Sequence, residues 1–225
     1  MLKIRAIRRL AFTLALLAAL LLLSSGSLRF WQGELFIAIQ SALWTYFLAH
    51  FLRHDPHLLE GRLQKRESQP EQQRFQKLWA VMVIGAFSLS GLDFRFAWTR
   101  AKLGGMPLEV TLVGQIIVAA GYWLVFWVMK SNTFASSTIQ VEAEQHVIDS
   151  GPYAVVRHPM YSGMMLSMLA APFALGSYVA LPVFVMSVPI FIYRLTHEEQ
   201  TLLRGLPGYS EYCKRVKFRL LPGIW

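Results

Sequence analysis

Two polar clusters in the last third of the chain carry residue types that could do chemistry. The first runs Gln145-His146-Val147-Ile148-Asp149-Ser150-Gly151-Pro152-Tyr153 and reaches Arg157-His158-Pro159-Met160-Tyr161-Ser162-Gly163. Pro159 suits the first turn of a helix, where its missing N–H costs nothing, and it restricts the residue before it to extended geometry. His158 is thereby held at a helix mouth, beside backbone N–H groups and the positive end of the helix dipole. That is a place for an anionic or polar ligand group. Gly163, one turn further in, leaves room for a close approach to the backbone. Taken alone, His158 and Tyr161 are equally well read as ordinary interfacial residues at headgroup depth.

The second cluster is Arg194, His197, Glu198 and Glu199. Arg194 and Glu198 are four residues apart and share a helix face, while Glu199 lies roughly 100° round from Glu198. As an exposed ion pair, Arg194 and Glu198 would contribute under about 1 kcal/mol. A carboxylate pair beside an aromatic-rich cleft would instead recognise a cation, and ionisable residues facing a bundle interior are functional candidates.

Both clusters need apolar elements to position them, and the chain is built of little else. Of its 225 residues 55% are hydrophobic and 16% charged, with a mean hydropathy of +0.41. A soluble domain would carry about a quarter charged residues. A helix needs about 20 mostly apolar residues to cross a bilayer. Six segments qualify, at 7–23, 35–52, 78–92, 107–129, 160–175 and 178–193, the last two joined by a tight turn at Gly176-Ser177. The third is expected to start inside the polar run before it, where Ser68 and Glu71 have capping-box spacing. The fold class expected is therefore an all-α integral membrane protein. Residues 1–130 would form N-terminal spans around a solvated cytoplasmic hairpin at 53–77, and residues 131–225 the catalytic region with the last two helices and tail.

The charges orient these spans. Of the 22 Lys and Arg, 18 fall on the side of the N-terminus and 4 on the other. By the positive-inside rule both ends, and both polar clusters, face the cytoplasm of what is expected to be a bacterial inner membrane. The net charge of +9 is thus a topology signal, and no nucleic-acid partner is expected. The N-terminal run with its following Ser24-Ser25-Gly26-Ser27 also has the look of a signal peptide, but its apolar core is long, which favours a retained helix. Cleavage would leave five spans with unchanged orientation. The single cysteine, Cys213, excludes an internal disulfide and a CxxC metal site, and no metal is expected.

Five motif pieces, in this order and spacing, carry a resemblance. They are Gly151-x-Tyr153, Arg157-His158-Pro159-x-Tyr161-x-Gly163, Arg194-x-x-x-Glu198-Glu199-x-x-Leu202, Gly208-Tyr209-x-x-Tyr212 and Arg219-x-x-Pro222. Together they resemble the isoprenylcysteine carboxyl methyltransferase family, whose wider group includes membrane phospholipid N-methyltransferases. The resemblance covers about residues 140–222. It departs from the family where a histidine is expected six residues before the glycine, since Gln145 stands there and His146 is one position off.

The resemblance implies an S-adenosyl-L-methionine site on the cytoplasmic side, between the last helical hairpin and the tail. Carried over by position, Gln145, His146, Val147, Ile148, Tyr153, His158, Pro159, Met160, Tyr161 and Glu198 are expected cofactor contacts, and Glu199, the second member of the carboxylate pair, is expected to bind the cofactor with them. Arg194 falls where the family has an arginine that serves the acceptor. The cofactor is a sulfonium cation, which aromatic faces suit. A carboxylate acceptor is already ionised at neutral pH and needs no general base, so alignment of the reacting atoms would do most of the catalysis. The expected partners are membrane lipids and a lipophilic acceptor arriving sideways from the bilayer. Carboxyl O-methylation ranks first, followed by N-methylation of a phospholipid amine or S-methylation of a small thiol. A sterol-type reductase using a nicotinamide cofactor and a non-enzymatic membrane protein are the readings from other classes.

Overall fold

The computed structural model describes residues 1–64, 70–132 and 146–225, and among these it is entirely helical apart from turns and extended links. Four helices are long and apolar enough to cross a membrane: α1 (Leu2–Ser25), α2 (Trp31–His54), α4 (Pro70–Phe96) and α6 (Leu108–Ser131). Each apolar stretch runs 24 residues, about 36 Å at 1.5 Å per residue, against roughly 30 Å of hydrocarbon. This is a multi-pass membrane protein. Gly26 ends α1 in the left-handed conformation, with φ 62°, and its N–H caps Leu22 O. As expected, α4 begins within the polar run; the capping box proposed for Ser68 and Glu71 lies outside the described residues.

The fifth and sixth expected spans take a shorter form. Helix α7 (Pro159–Ala174) has 16 residues, about 24 Å, and stops two residues after Pro172. The expected turn follows it, with Gly176 at φ 68° and Ser177 N–H bonding Pro172 O at 2.9 Å. The chain then breaks into α8 (Leu181–Val185) and α9 (Ser187–Gly205). Pro189 explains the break, because it has no N–H to give Val185 O and so interrupts the i→i−4 ladder.

Close packing joins the two halves of the chain. A Cβ on Gly121 of α6 would sit 2.6 Å from Gly163 O of α7 and against Ser167 Oγ; one on Gly163 would sit 2.7 Å from Gly121 O. The two backbones touch, as small residues permit between membrane helices. Gln115 completes the seam, its Nε2 donating to Ala174 O at 2.9 Å and to Gln32 O at 3.1 Å. Helices α8 and α9 dock on α4 through Phe87 against Phe184 and Trp79 against Phe191. At the far end of α4 and α7, buried Asp93 accepts from Thr99 N–H, Thr99 Oγ1 and Ser177 Oγ at 2.5–2.7 Å. Both carboxylate oxygens are engaged there, so Asp93 fastens this end of the bundle.

One expectation needs correction. The stretch 53–77 is not merely a solvated hairpin. Its first part folds into α3 (Pro56–Gln64), capped by Asp55 Oδ1 on Leu58 N–H at 3.0 Å, and Leu58 is buried with Phe51 and Phe126. Phe75, at the start of α4, is buried as well. Leu58, Leu59, Arg62 and Leu63 share one face at helical spacing, and that stripe lays α3 across the bundle.

Candidate active site

The near ends of α4, α7 and α9, with α3 across them, enclose a cavity of about 620 Å³, within the roughly 300–1,000 Å³ of small-molecule sites. Ten of the twelve residues expected at the site line it: His146, Val147, Ile148, Tyr153, His158, Pro159, Met160, Tyr161, Arg194 and Glu198. Gln145 lies outside the described residues.

Local structure explains how each reaches the wall. Residues 146–150 run extended into a 3₁₀ turn, Gly151–Ala154, which Gly151 opens at φ 58°. That turn aims Tyr153 inward, where its hydroxyl accepts from Asn132 Nδ2 at 3.0 Å and its carbonyl accepts from Tyr212 OH at 2.8 Å. Burial pushes the Tyr153 hydroxyl up to about 12, so it is neutral at any working pH. His158 precedes α7 at φ −126°, as the following proline demands. Its Nε2 is buried and makes no hydrogen bond to the described residues.

Tyr161 bridges the two charged members. Its hydroxyl donates to Glu198 Oε2 at 2.6 Å and accepts from Arg194 Nε at 3.0 Å. Arg194 also lies over the ring of Phe75, 4.7 Å from the centroid, a cation–π contact that ties the guanidinium to α4. The shared helix face of Arg194 and Glu198 is thus turned inward, and the pair is organised through a phenol.

Glu199 takes a different place from the one expected. It does not line the cavity. Only 5% exposed, it meets Arg157 Nη2 at 2.8 Å and Arg219 Nε at 2.7 Å, with His158 Nε2 at 3.9 Å. Burial opposes its charge, but nearby His158, the Arg219 hydrogen bond and the Arg157 charge hold the carboxyl at about 2. The consequence is mechanical. Arg157 also donates to Val216 O and Lys217 O, Arg157 N–H bonds Phe218 O and His158 N–H bonds Arg219 O. Glu199 is the central anion that straps the C-terminal tail across residues 157–158. His197 likewise does not line the cavity, and its ring lies against Tyr193.

The lining residues that escaped the sequence reading include Arg9 of α1, Arg62 of α3, Phe75 of α4 and Asn132. For Arg62 the signal was present in the apolar stripe of α3, which marks a face that must be covered. For Arg9 there was none, because a basic residue before an apolar run is first a topology signal.

Comparison with known proteins agrees with this architecture. The fold is that of a membrane methyltransferase: the structure of the eukaryotic intramembrane Ras methyltransferase ICMT (isoprenylcysteine carboxyl methyltransferase) superposes with a TM-score of 0.59, covering 97% of this chain and 77% of that one at 18% identity. Residues 110–206 match the family model for phospholipid methyltransferase. Both likenesses fall in the wider group of membrane methyltransferases that the sequence motifs resemble. A Delta(14)-sterol reductase of Mus musculus is 31% identical over an alignment of 135 residues that covers 54% of this chain and 32% of that protein. The chain thus spans about a third of the length of that curated relative.

Proposed function

We propose that this protein transfers a methyl group from S-adenosyl-L-methionine to a lipophilic acceptor, by carboxyl O-methylation, at the cytoplasmic face of a bacterial inner membrane. The observation that carries the reading is the convergence of 146–148, Tyr153, 158–161 and Glu198 on one cavity with Arg194. The residues fit the cofactor: aromatic faces and one carboxylate suit a cation, and the buried Nε2 of His158, which makes no hydrogen bond to the described residues, offers a polar contact. When bound, the cofactor supplies an electrophilic methyl on a sulfonium. Glu198, fixed by the Tyr161 hydroxyl, would hold a polar part of it; a carboxylate against the sulfur itself would stabilise the ground state more than the transition state. Arg194, braced by Phe75 and Tyr161, would orient the acceptor carboxylate by charge-assisted hydrogen bonds. No proton need be removed from that acceptor, so alignment is the chain's main contribution.

The alignment with a sterol reductase favours one rival, a nicotinamide-dependent reductase. Calorimetry on the purified protein in detergent separates the two. Binding of S-adenosylmethionine and its demethylated product is expected; no binding of either, with tight binding of a nicotinamide cofactor, would overturn the methyltransferase reading.

A further inference from the structure

Beyond α10 (Tyr209–Arg215) the tail carries a group of apolar side chains that the fold leaves uncovered. Leu221 is 49% exposed and Ile224 78%, with Phe218 and Trp225 at 36% each. An exposed apolar group beside Lys214 and Lys217, themselves exposed, marks an interaction surface. The group has a fixed shape. Leu220 N–H and Leu221 N–H both donate to Trp225 O, at 2.9 and 3.1 Å, and Ile224 N–H donates to Leu221 O at 3.1 Å. Gly223, at φ 79°, permits the turn after Pro222. Arg219 lies over the Trp225 ring, 5.2 Å from its centroid. Residues 220–225 are thus a closed loop that turns Leu221 and Ile224 outward.

The helices that hold this loop set its depth. Ser162 Oγ donates to Leu220 O at 2.7 Å and His158 N–H to Arg219 O at 2.9 Å, so Leu220 lies one turn inside the mouth of α7. Helices α6 and α7 run antiparallel, with Gly114 against Ala174, Gly121 against Gly163, and Gly163 against Val125. Ser162 is therefore level with the region of Val125, about 9 Å along the axis before α6 ends at Ser131. A helix of 24 residues overhangs roughly 30 Å of hydrocarbon by about 3 Å at each end. Leu220 accordingly sits about 6 Å inside the hydrocarbon boundary. Trp123 and Trp127, the exposed rings near the same end of α6, bracket that level and suit an aromatic belt. Exposed apolar side chains at such a depth meet lipid.

We infer that the tail loop is an interfacial anchor, which dips Leu221, Ile224 and Trp225 into the acyl chains of the leaflet nearest the cavity while Lys214 and Lys217 stay at headgroup level. Apolar tips flanked by cations are the composition of segments that lie in a membrane surface rather than across it. The same loop carries Arg219, which binds Glu199 at 2.7 Å, so the anchor ties the wall behind the cavity to a fixed depth. It is independent of the methyl-transfer reading, because none of these side chains lines the cavity.

Fluorescence quenching in a bilayer tests the anchor. Ile224→Cys, on a Cys213→Ser background, is labelled with bimane, and the full chain is reconstituted in vesicles of phosphatidylcholine and phosphatidylglycerol. Lys214→Cys on the same background is the water-side reference. A lipid with a nitroxide near the glycerol end of its acyl chain should quench the Ile224→Cys label at least threefold more than the reference. Aqueous iodide should quench it at least threefold less. Leu221→Cys should behave as Ile224→Cys does, so that a folding failure of either variant leaves the other to decide. A tail label open to iodide and untouched by the lipid nitroxide would place the loop in water and overturn the inference. Protection from both quenchers would overturn it as well, because the loop would then be covered by protein, and loss of that protection on dilution with excess lipid would identify the cover as a second copy of the chain.

Discussion

Glu199→Gln separates a strap from a ligand. The side chain is nearly isosteric, so the change removes charge and one acceptor while leaving volume alone. In the folded protein the carboxyl is held at about 2 against an ordinary value of 4.5. That difference corresponds to roughly 3 kcal/mol of stability at neutral pH, at 1.36 kcal/mol per unit. The figure agrees with the ~3–5 kcal/mol lost when one partner of a buried ion pair is removed. At about 2–4 °C per kcal/mol for a chain of this size, the melting temperature should fall by roughly 6–12 °C. The sign of the pH dependence follows. Because the folded value is depressed, the stabilisation is present above pH 4.5 and is lost as pH falls toward 2. The gap between wild type and variant should therefore narrow in acid. Thermal unfolding in detergent at pH 7 and pH 4, with proteolysis of the tail after Arg215 as a second readout, measures both. Calorimetry of S-adenosylmethionine at a temperature where the variant is folded supplies the control, and its affinity should change by less than about threefold. If Glu199→Gln instead left the melting temperature and tail protection intact and abolished cofactor binding, the strap assignment would be refuted. Glu199 would then be the direct contact that its adjacency to Glu198 suggested.

Three further outcomes are expected. Glu198→Gln should weaken S-adenosylmethionine binding by roughly 1.5–3 kcal/mol for a charged hydrogen bond, whereas Arg194→Ala should leave cofactor binding nearly intact and cut methyl transfer to a lipid extract; small and similar effects of both would mean an inert surface pair. Gly121→Val should prevent folding, since its Cβ would sit 2.6 Å from Gly163 O, and a folded, monodisperse variant would show that α6 and α7 are not in backbone contact. An alkaline phosphatase fused after Trp225 should be inactive in the bacterial periplasm, and an active fusion would reverse the proposed orientation.

Much of this protein was legible along the chain. Apolar length alone settles the four long helices, because a bilayer demands backbone hydrogen bonds within each segment. The contiguous run 146–161 was readable for a similar reason: a helix start built on His158-Pro159 places its neighbours by local geometry, and all the described members of that wall face one cavity. The residues that came from elsewhere were not readable. Glu198 and Glu199 differ by one position and roughly 100° of helix, and nothing local says which of those two faces meets the cavity. The tail decides it, because Arg219 reaches back to Glu199 across 20 residues and draws that face away. Arg62 and Arg9 reach the site only because α3 folds against α1 and across the near ends of α6 and α7. Sequence determined which segments would be helices and where a polar ligand could meet a helix end. Only tertiary structure decided which charges face that ligand, because side-chain direction is set by the long-range packing that covers the opposite face.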